Sequence, residues 1–366
     1  MILKDICKIN SGKSIKACLI CDKDINHNIP CFGGNGLRGF VSSPNQVGGN
    51  PIIGRVGAQC GNIHYCDEPF YATEHALVVT LKDDNVNPQW LCRKFESMKL
   101  GTYAEGAAQP VIAASKLLQL EIAIPPLSEQ QSIVDYLDSA FAKIDVMKAN
   151  AEKALNEAQA LFKASLKEML EPKEGWEEKK LEDITEVKDG THDSPKYVTE
   201  GISFVTQKNI TISGFDLLNT KKISLEDHKK FYTRSNVEFG DIIIAMIGAN
   251  RGMSCIVDTR EIFSIKNVGL IKKNDNINMR YLLFYLHSPS ANTYILNNSN
   301  GGAQEFIGLK GLRTFPIPYP PLSEQQSIVA TLDSLKSKVD RLQANYDKIS
   351  LECDALKQAM LRQVFE

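Results

Sequence analysis

The chain contains a long copy of itself. The segment Pro125-Pro-Leu-Ser-Glu-Gln-Gln-Ser-Ile-Val134 returns as residues 320–329, identical at all ten positions and displaced by 195 residues. The match runs backward without gaps: Gly106, Ala108, Gln109, Ile112 and Leu117 align with Gly301, Ala303, Gln304, Ile307 and Leu312. It runs forward through Leu137, Asp138, Asp145, Leu161 and Leu166, which align with Leu332, Asp333, Asp340, Leu356 and Leu361. A period this long is a duplicated domain with its connector, not a solenoid unit of about 20–50 residues. Leu3-Lys-Asp-Ile6 echoes Leu181-Glu-Asp-Ile184, so the duplication extends to the domain starts.

Each copy of the repeat opens a helix. Ser128 and Ser323 stand three residues before Gln131 and Gln326, the spacing of a capping box. The Pro-Pro pairs just before them favour extended backbone and end the preceding domain. All 24 glycines and all 15 prolines lie outside 128–170 and 323–366, which predicts two uninterrupted helices there, each roughly 65 Å long. The second carries apolar residues in alternating steps of four and three: Ile328, Leu332, Leu335, Val339, Leu342, Tyr346, Ile349, Cys353, Leu356, Met360. At the same offset the first has Ile133, Leu137, Ala140, Ile144, Met147, Ala151, Ala154, Ala158 and Leu161. A seam sustained over several heptads argues a coiled coil, and small residues facing bulky ones suggest that the two helices pack on each other.

The remainder forms two glycine- and proline-rich segments, 1–127 and 181–322, with a polar linker at 171–180 between the first helix and the second segment. Both mix short strand-like runs with turns, as in residues 75–81 and 241–247. Lys82-Asp-Asp-Asn85 and Lys272-Lys-Asn-Asp275 sit in comparable places, each just before a helical segment. This predicts a mixed α/β (α+β) chain of two globular domains. Net charge is −2, and each globular segment comes to +1, so a nucleic-acid surface has to be a local patch. The start of the chain lacks a basic region followed by an apolar one, and its longest apolar run, 242–247, is far too short for a membrane span. Nine cysteines is an odd number, which argues against a disulfide framework and for the cytoplasm.

Three motifs imitate chemistry. Phe32-Gly-Gly-Asn-Gly36 matches the F-x-G-x-G loop of S-adenosylmethionine-binding methyltransferases, but residues 37–44 read as strand and turn, and no Asn/Asp-Pro-Pro-aromatic tetrapeptide is present. Gly12-Lys13-Ser14 ends like a P-loop, but Cys7 stands where its first glycine is required. Cys18, Cys21, His27 and Cys31 approach a zinc-knuckle spacing, yet other cysteines are scattered through the same segment and the second has no counterpart. They are read as partly buried thiols, with no metal ligand assigned, and no catalytic residue is assigned either.

Pro-Pro-Leu-x-Glu-Gln-x-x-Ile, present twice and each time opening a long helix after a globular domain, resembles the specificity subunit of type I restriction–modification enzymes. Gly34-Asn-Gly36 with Gly39, Ile53-Gly-Arg-Val-Gly57, Cys60-Gly61 and Phe70-Tyr-Ala-Thr73 are similar to one kind of target-recognition domain. Asp189-Gly-Thr-His192, Pro195-Lys-Tyr197, Gly240-Asp-Ile242 and Gly248 resemble another. The resemblance covers nearly the whole chain. It implies a non-catalytic subunit with two target-recognition domains, each built on a twisted sheet and each reading half of an asymmetric, bipartite site in double-stranded DNA. It implies an antiparallel coiled coil that spaces the half-sites and docks two methyltransferase subunits, joined in the restriction complex by restriction subunits. No cofactor belongs to this chain: S-adenosylmethionine is implied for the methyltransferase partner, and ATP with Mg for the restriction partner. A catalytic polypeptide carrying its own recognition domains, and a protein-binding coiled-coil scaffold, are the alternatives.

Phosphate contacts need Arg, Lys and backbone N–H groups, and base readout needs Arg, Gln and Asn. In the first domain these criteria select Asn35, Arg38, Arg55, Gln59, Asn62 and Gln109. In the second they select Thr191, His192, Lys196, Tyr197, Gln207, Lys208, Asn209, Asn250, Arg251 and Gln304. Glu129, Gln130, Gln131, Glu324, Gln325 and Gln326 are assigned to helix starts and partner docking.

Overall fold

The computed structural model describes residues 1–106, 108–211, 214–301 and 305–366. The chain divides into two compact units, Met1–Glu152 with Tyr346–Glu366, and Lys153–Asn345. The division falls within both long helices, so neither unit coincides with a globular segment of the sequence.

In the first unit, β1 (Cys7–Ser11), β4 (Asn50–Gly54), β5 (Ile63–Cys66) and β7 (Ala76–Leu81) form an antiparallel sheet in the order β1-β7-β4-β5. A second sheet has the order β3-β2-β6, from β2 (Ile29–Gly33), β3 (Gly36–Val41) and β6 (Tyr71–Ala72). The apolar faces of the first sheet close on α1 (Leu3–Ile6), α2 (Pro88–Ser97) and α3 (Ala114–Leu117), with Trp90 and Phe95 among its largest buried side chains. The first long helix, α4, is Leu127–Leu170.

The second unit contains α5 (Leu181–Ile184), α6 (Leu225–Ser235), α7 (Met279–Leu286), α8 (Pro289–Asn297) and α9 (Leu309–Arg313). Its main sheet is antiparallel, in the order β15-β14-β17-β9, from β9 (Val187–Asp189), β14 (Ile242–Ala245), β15 (Ser254–Ile256) and β17 (Val268–Ile271). A second sheet, β13-β10-β16, joins β10 (Ile202–Thr206), β13 (Lys221–Ile223) and β16 (Phe263–Lys266), with β10 and β16 parallel. Strand β14 is buried along its whole length, which is why Ile242–Ala245 is a continuous apolar run instead of an alternating one. The second long helix, α10, is Leu322–Phe365.

The polar stretch at 171–180 is not simply a linker. Its end, Glu177–Lys180, is a strand that pairs antiparallel with Pro316–Tyr319. Both long helices begin one residue before the expected start, which makes Ser128 and Ser323 first-turn residues and not caps. The carbonyls of Pro126 and Pro321 accept the first helical N–H groups instead.

In the first unit α4 and α10 run antiparallel: Asp145 pairs with Lys357, and three residues on Lys148 pairs with Asp354, three residues back. The seam there is Leu137, Phe141 and Ile144 against Cys353 and Leu361. It keeps to the expected line at Leu137, Ile144 and Cys353 and departs from it at single positions: the large ring of Phe141 fills space that Ala140 cannot, Leu361 is buried where Leu356 was expected, and Met147 and Leu356 are left 60% and 50% exposed. In the second unit Leu166 and Leu170 of α4 share a core with Ile328, Val329 and Leu332 of α10, and Gln159 meets Gln343. Among the described residues no helix is long and apolar enough to cross a membrane.

The motif Phe32–Gly36 closes the β2–β3 hairpin, so strand leads to strand and not to the helix that a methyltransferase cofactor loop requires. Gly12-Lys13 continues from β1 onto the Ala72 and Ala76 carbonyls and forms no phosphate cradle. Among the described residues no group of three or more His, Cys, Asp or Glu could hold a metal ion. His27 faces Asp24 at 3.0 Å, and burial pushes the Cys31 thiol up.

Candidate nucleic-acid interface

The first unit assembles three loops by close glycine contacts. Gly34 and Asn35 form the tip of the β2–β3 hairpin, and Gly36 takes a φ of +91° that favours glycine. A Cβ on Gly34 would lie 2.5 Å from the Val56 carbonyl oxygen, and one on Gly54 would lie 2.2 Å from that of Gly34. The hairpin tip therefore packs against the loop that follows β4. That loop is pinned by Gly61 N–H donating to the Gly54 carbonyl and Gly54 N–H donating to that of Asn62, both 2.8 Å. The third loop joins through Gly57 N–H donating to the Pro110 carbonyl and Ile112 N–H donating to that of Arg55.

These contacts bring Asn35, Arg55, Gln59, Asn62 and Gln109 onto neighbouring loops, with Arg38 on the adjacent strand. Asn35, Arg38, Gln59, Asn62 and Gln109 are exposed. Asn62 Nδ2 donates to Gln59 Oε1 at 2.9 Å, so the two amides act as one preset pair. Arg55 is half-buried, with its guanidinium on Ser11 Oγ at 2.9 Å. Residue-type reasoning missed His64, whose imidazole lies against Gly36 and whose buried Nε2 has no partner among the described residues; burial lowers its pKa.

In the second unit Asp189 organises the edge of the main sheet. Its carboxylate, 12% exposed, accepts a double hydrogen bond from Arg234 at 2.8 Å and faces His192 Nε2 at 3.0 Å. The other ring nitrogen of His192 meets Asn267 Oδ1 at 2.8 Å, and Asn267 itself takes a φ of +54° between β16 and β17. His192 is thus an exposed ring in a fixed orientation.

Beside it opens a cleft of about 400 Å³ that collects Tyr197, Gln207, Lys208 and Asn209 with Asn219, Lys221, Lys266 and Asn267. It holds three lysines and no carboxylate among its described lining residues. The Lys221 ammonium lies 4.2 Å from the Tyr197 ring centroid, and Lys266 Nζ donates to Ser194 Oγ at 2.8 Å. Asn219, Lys221, Lys266 and Asn267 escaped sequence reasoning because they lie far along the chain from Tyr197 and Gln207. No local motif marks them; the pairing of β10 with β13 and β16, and Asn209 Nδ2 donating to the Asn219 carbonyl, bring them there.

Several selected residues have other duties. Thr191 is buried, its hydroxyl accepting from Asp193 N–H, and does not reach the surface. Asn209 is buried too, and its Oδ1 accepts from both Thr206 N–H and Thr206 Oγ, capping a single turn. Arg251, with a side chain 12% exposed, pairs with Glu305 and donates to the Gly248 carbonyl. It lies with Asn250, which is exposed, on a separate groove. Lys196 is exposed. Gln304 lies outside the described residues.

The repeated glutamines also have an internal role. Gln130 is fully buried: its Oε1 accepts Asn87 N–H at 2.7 Å, and its Nε2 donates to the Asn85 and Pro125 carbonyls. Gln325 is equally buried, accepting Asn278 N–H at 2.8 Å and donating to the Pro320 carbonyl at 2.8 Å. Asn87 and Asn278 are the N-caps of α2 and α7. Each glutamine therefore locks its globular segment to its long helix and offers a partner no surface. Glu324 accepts from Trp176 Nε1 at 3.1 Å, and Gln131 is held by Asn87 and Asp135; Glu129 and Gln326 are exposed.

Comparison with known proteins agrees with this architecture. The family profile described as the type I restriction modification DNA specificity domain matches residues 1–157 and 173–351. The EcoprrI specificity subunit of Escherichia coli is 39% identical over 137 residues, covering 37% of this chain and 34% of that protein. The EcoBI specificity subunit of Escherichia coli is 22% identical over 359 residues, covering 86% and 72%. The match to the first of these relatives thus spans about a third of its length. Among solved structures, a chain from work on complex assembly and conformational transition of the type I system superposes with a TM-score of 0.74 at 17% identity, covering 100% of this chain and 97% of that one. The HsdS subunit of Thermoanaerobacter tengcongensis gives 0.57 at 17% identity, covering 100% and 95%. With both globular segments and most of both long helices inside the family match, the chain belongs to the type I restriction–modification DNA-specificity family.

Proposed function

We propose that this chain is the non-catalytic sequence reader of a type I restriction–modification complex, working in the cytoplasm on double-stranded DNA. Each globular segment reads one half of a bipartite site. The two halves differ, because the reading surfaces differ: a glycine-packed triple loop with an amide pair in one, and a lysine-lined cleft beside a fixed histidine in the other. The observation that carries the reading is the doubled layout itself, a recognition-type segment pinned by a buried glutamine to an antiparallel helix, twice in one chain. Methylation and cleavage belong to the partners, two methyltransferase subunits and the restriction subunits.

The partners dock on the long helices. In the first unit Tyr136, Val146, Met147, Leu351 and Leu356 are each at least half exposed on α4 and α10, more large apolar surface than a helix pair facing only water needs. These residues, together with Glu129 and Gln326, replace the buried Gln130 and Gln325 as docking candidates.

The direct test is long-read methylation sequencing of host DNA with the gene present and deleted. Loss of one bipartite N6-methyladenine motif on deletion is the expected result; an unchanged methylome in a host with an active methyltransferase partner overturns the reading. The assembled complex should also bind that site with log K falling linearly in log salt, at a slope of roughly −0.9 per phosphate contacted. A salt-independent affinity would favour a protein-binding scaffold.

The helix pair serves as the spacer between half-sites. Inserting one helical turn in each long helix, within the stretches without glycine or proline, is expected to lengthen the spacer of the methylated motif while leaving both half-sites unchanged. Sequencing the methylome of the insertion strain checks this, and an unaltered spacer rules it out.

A further inference from the structure

We propose that the cleft of the second unit receives a nucleotide turned out of the DNA stack, with Leu218 as the wedge that fills its place. This rests on the DNA-reading role above and adds to it a ligand, an unstacked base, and a site for it.

The cleft has the parts that such a ligand requires. Gln207 Oε1 is buried among the lining residues and has no hydrogen-bond partner among the described residues. A buried acceptor left unpaired is unfavourable, so its position favours an arriving N–H donor on a base edge. The outward-facing edge of an intact duplex is a poor fit to an amide held inside a cleft, whereas a single base can enter. Tyr197, 46% exposed, offers a ring for stacking. Lys221 covers that ring now; on entry the base replaces the ammonium, which then pairs with the nucleotide's phosphate alongside Lys208. No bond is made or broken in this exchange.

The wedge is a separate observation. Leu218 is 93% exposed, among the most exposed large apolar side chains in the chain. It is held out by a fixed turn: Asp216 Oδ1 accepts from Leu218 N–H at 2.8 Å and from Asn219 N–H at 3.2 Å, while Asn219 Nδ2 donates to Asp216 Oδ2 at 2.5 Å. Asn219 also lines the cleft, so the turn that presents the leucine is continuous with the cleft wall. Apolar side chains inserted between base steps are a general means of unstacking DNA, and an aromatic ring with hydrogen-bonding groups is the general receptor for a base so released.

The test uses the sign of an affinity change. The complex of the full chain with its methyltransferase subunit is bound to duplexes carrying the site mapped by methylation sequencing. An abasic residue is placed opposite each base of both half-sites in turn. Losing a pairing partner weakens contacts read on a stacked duplex but favours a base that has to leave the stack. The adenine taken by the methyltransferase is known from the sequencing and is set aside. At one further position the abasic duplex is expected to bind more tightly, on the order of tenfold. L218A and Q207A, each alone, should remove that gain and leave the gain opposite the methylated adenine intact. Leu218 is exposed, so its replacement leaves the fold unchanged. If no further position tightens although the unmodified site is bound, the cleft takes no unstacked base and the reading role stands. Survival of the gain in both variants likewise overturns the proposal. If the unmodified site itself is not bound in preference to other DNA, the reading role fails and takes the proposal with it.

Discussion

A chain ending at Asn345 is expected to lose the fold of its first unit and keep that of its second. Residues 346–366 are far from 1–152 in sequence but belong to the same compact unit. Removing them deletes Cys353, Met360, Leu361, Val364 and Phe365 from the seam and uncovers Leu137, Phe141 and Ile144. It also removes the Phe365 ring that packs edge-on against Trp90, 6.0 Å between centroids, and the Phe365 carbonyl that accepts from Lys94 Nζ. At about 1.5–3 kcal/mol for each large apolar side chain, the loss is on the order of 10 kcal/mol, comparable to the whole stability of a domain. Hydrogen exchange read by mass spectrometry checks this: rapid exchange through β1–β7 with protection retained in β14 and β17. Protection retained in both regions would show that the first unit holds together without the end of α10.

Replacing either buried glutamine by alanine is the second large effect. In Q130A the Asn87 N–H and the Asn85 and Pro125 carbonyls lose their partner; in Q325A the Asn278 N–H and the Pro320 carbonyl do. Each change is expected to cost about 3 kcal/mol, because the stranded groups stay buried. For a unit of this size, that lowers Tm by on the order of 10 °C. The neighbouring Q326A, on an exposed side chain, should move Tm by less than about 2 °C. Calorimetry of the three variants decides it: equal melting of Q325A and Q326A would mean that the glutamine does not lock the segment to its helix.

How far the chain could be read without a structure differs from element to element. The long helices were legible to within one residue at each end, because absence of glycine and proline over more than forty residues is a strong local signal. The short echo at the domain starts was also legible: Leu3–Ile6 and Leu181–Ile184 are both single-turn helices. The seam keeps to the expected line at Leu137, Ile144 and Cys353 and leaves it at Phe141, because periodicity ranks Ala140 and Phe141 by spacing alone, while packing ranks them by volume. Gln130 and Gln325, expected on a docking surface, are buried instead: a polar residue in a helix start reads as exposed until its partners, more than forty residues away, are in place. In the first unit Gly34, Gly54 and Gly61 were informative, because each marks where one backbone touches another. The cleft of the second unit was half legible. Tyr197, Gln207 and Lys208 were selected from the sequence and do line the cleft, but Lys221, Lys266 and Asn267 enter only once β10 lies beside β13 and β16.

The aspartates of the repeat, Asp138 and Asp333, are both gripped by an arginine from the globular segment, Arg93 in one and Arg280 in the other. The two arginines are not equivalent. Counted from the capping asparagine, Arg280 is the second residue of its helix and Arg93 the sixth, one turn further on. The socket on the long helix has been kept while the plug has migrated. In both copies a capping asparagine for the glutamine and an arginine within the next two turns seat the globular segment on its helix. Sequence change beyond the plug therefore leaves the seating of each segment on its own helix intact.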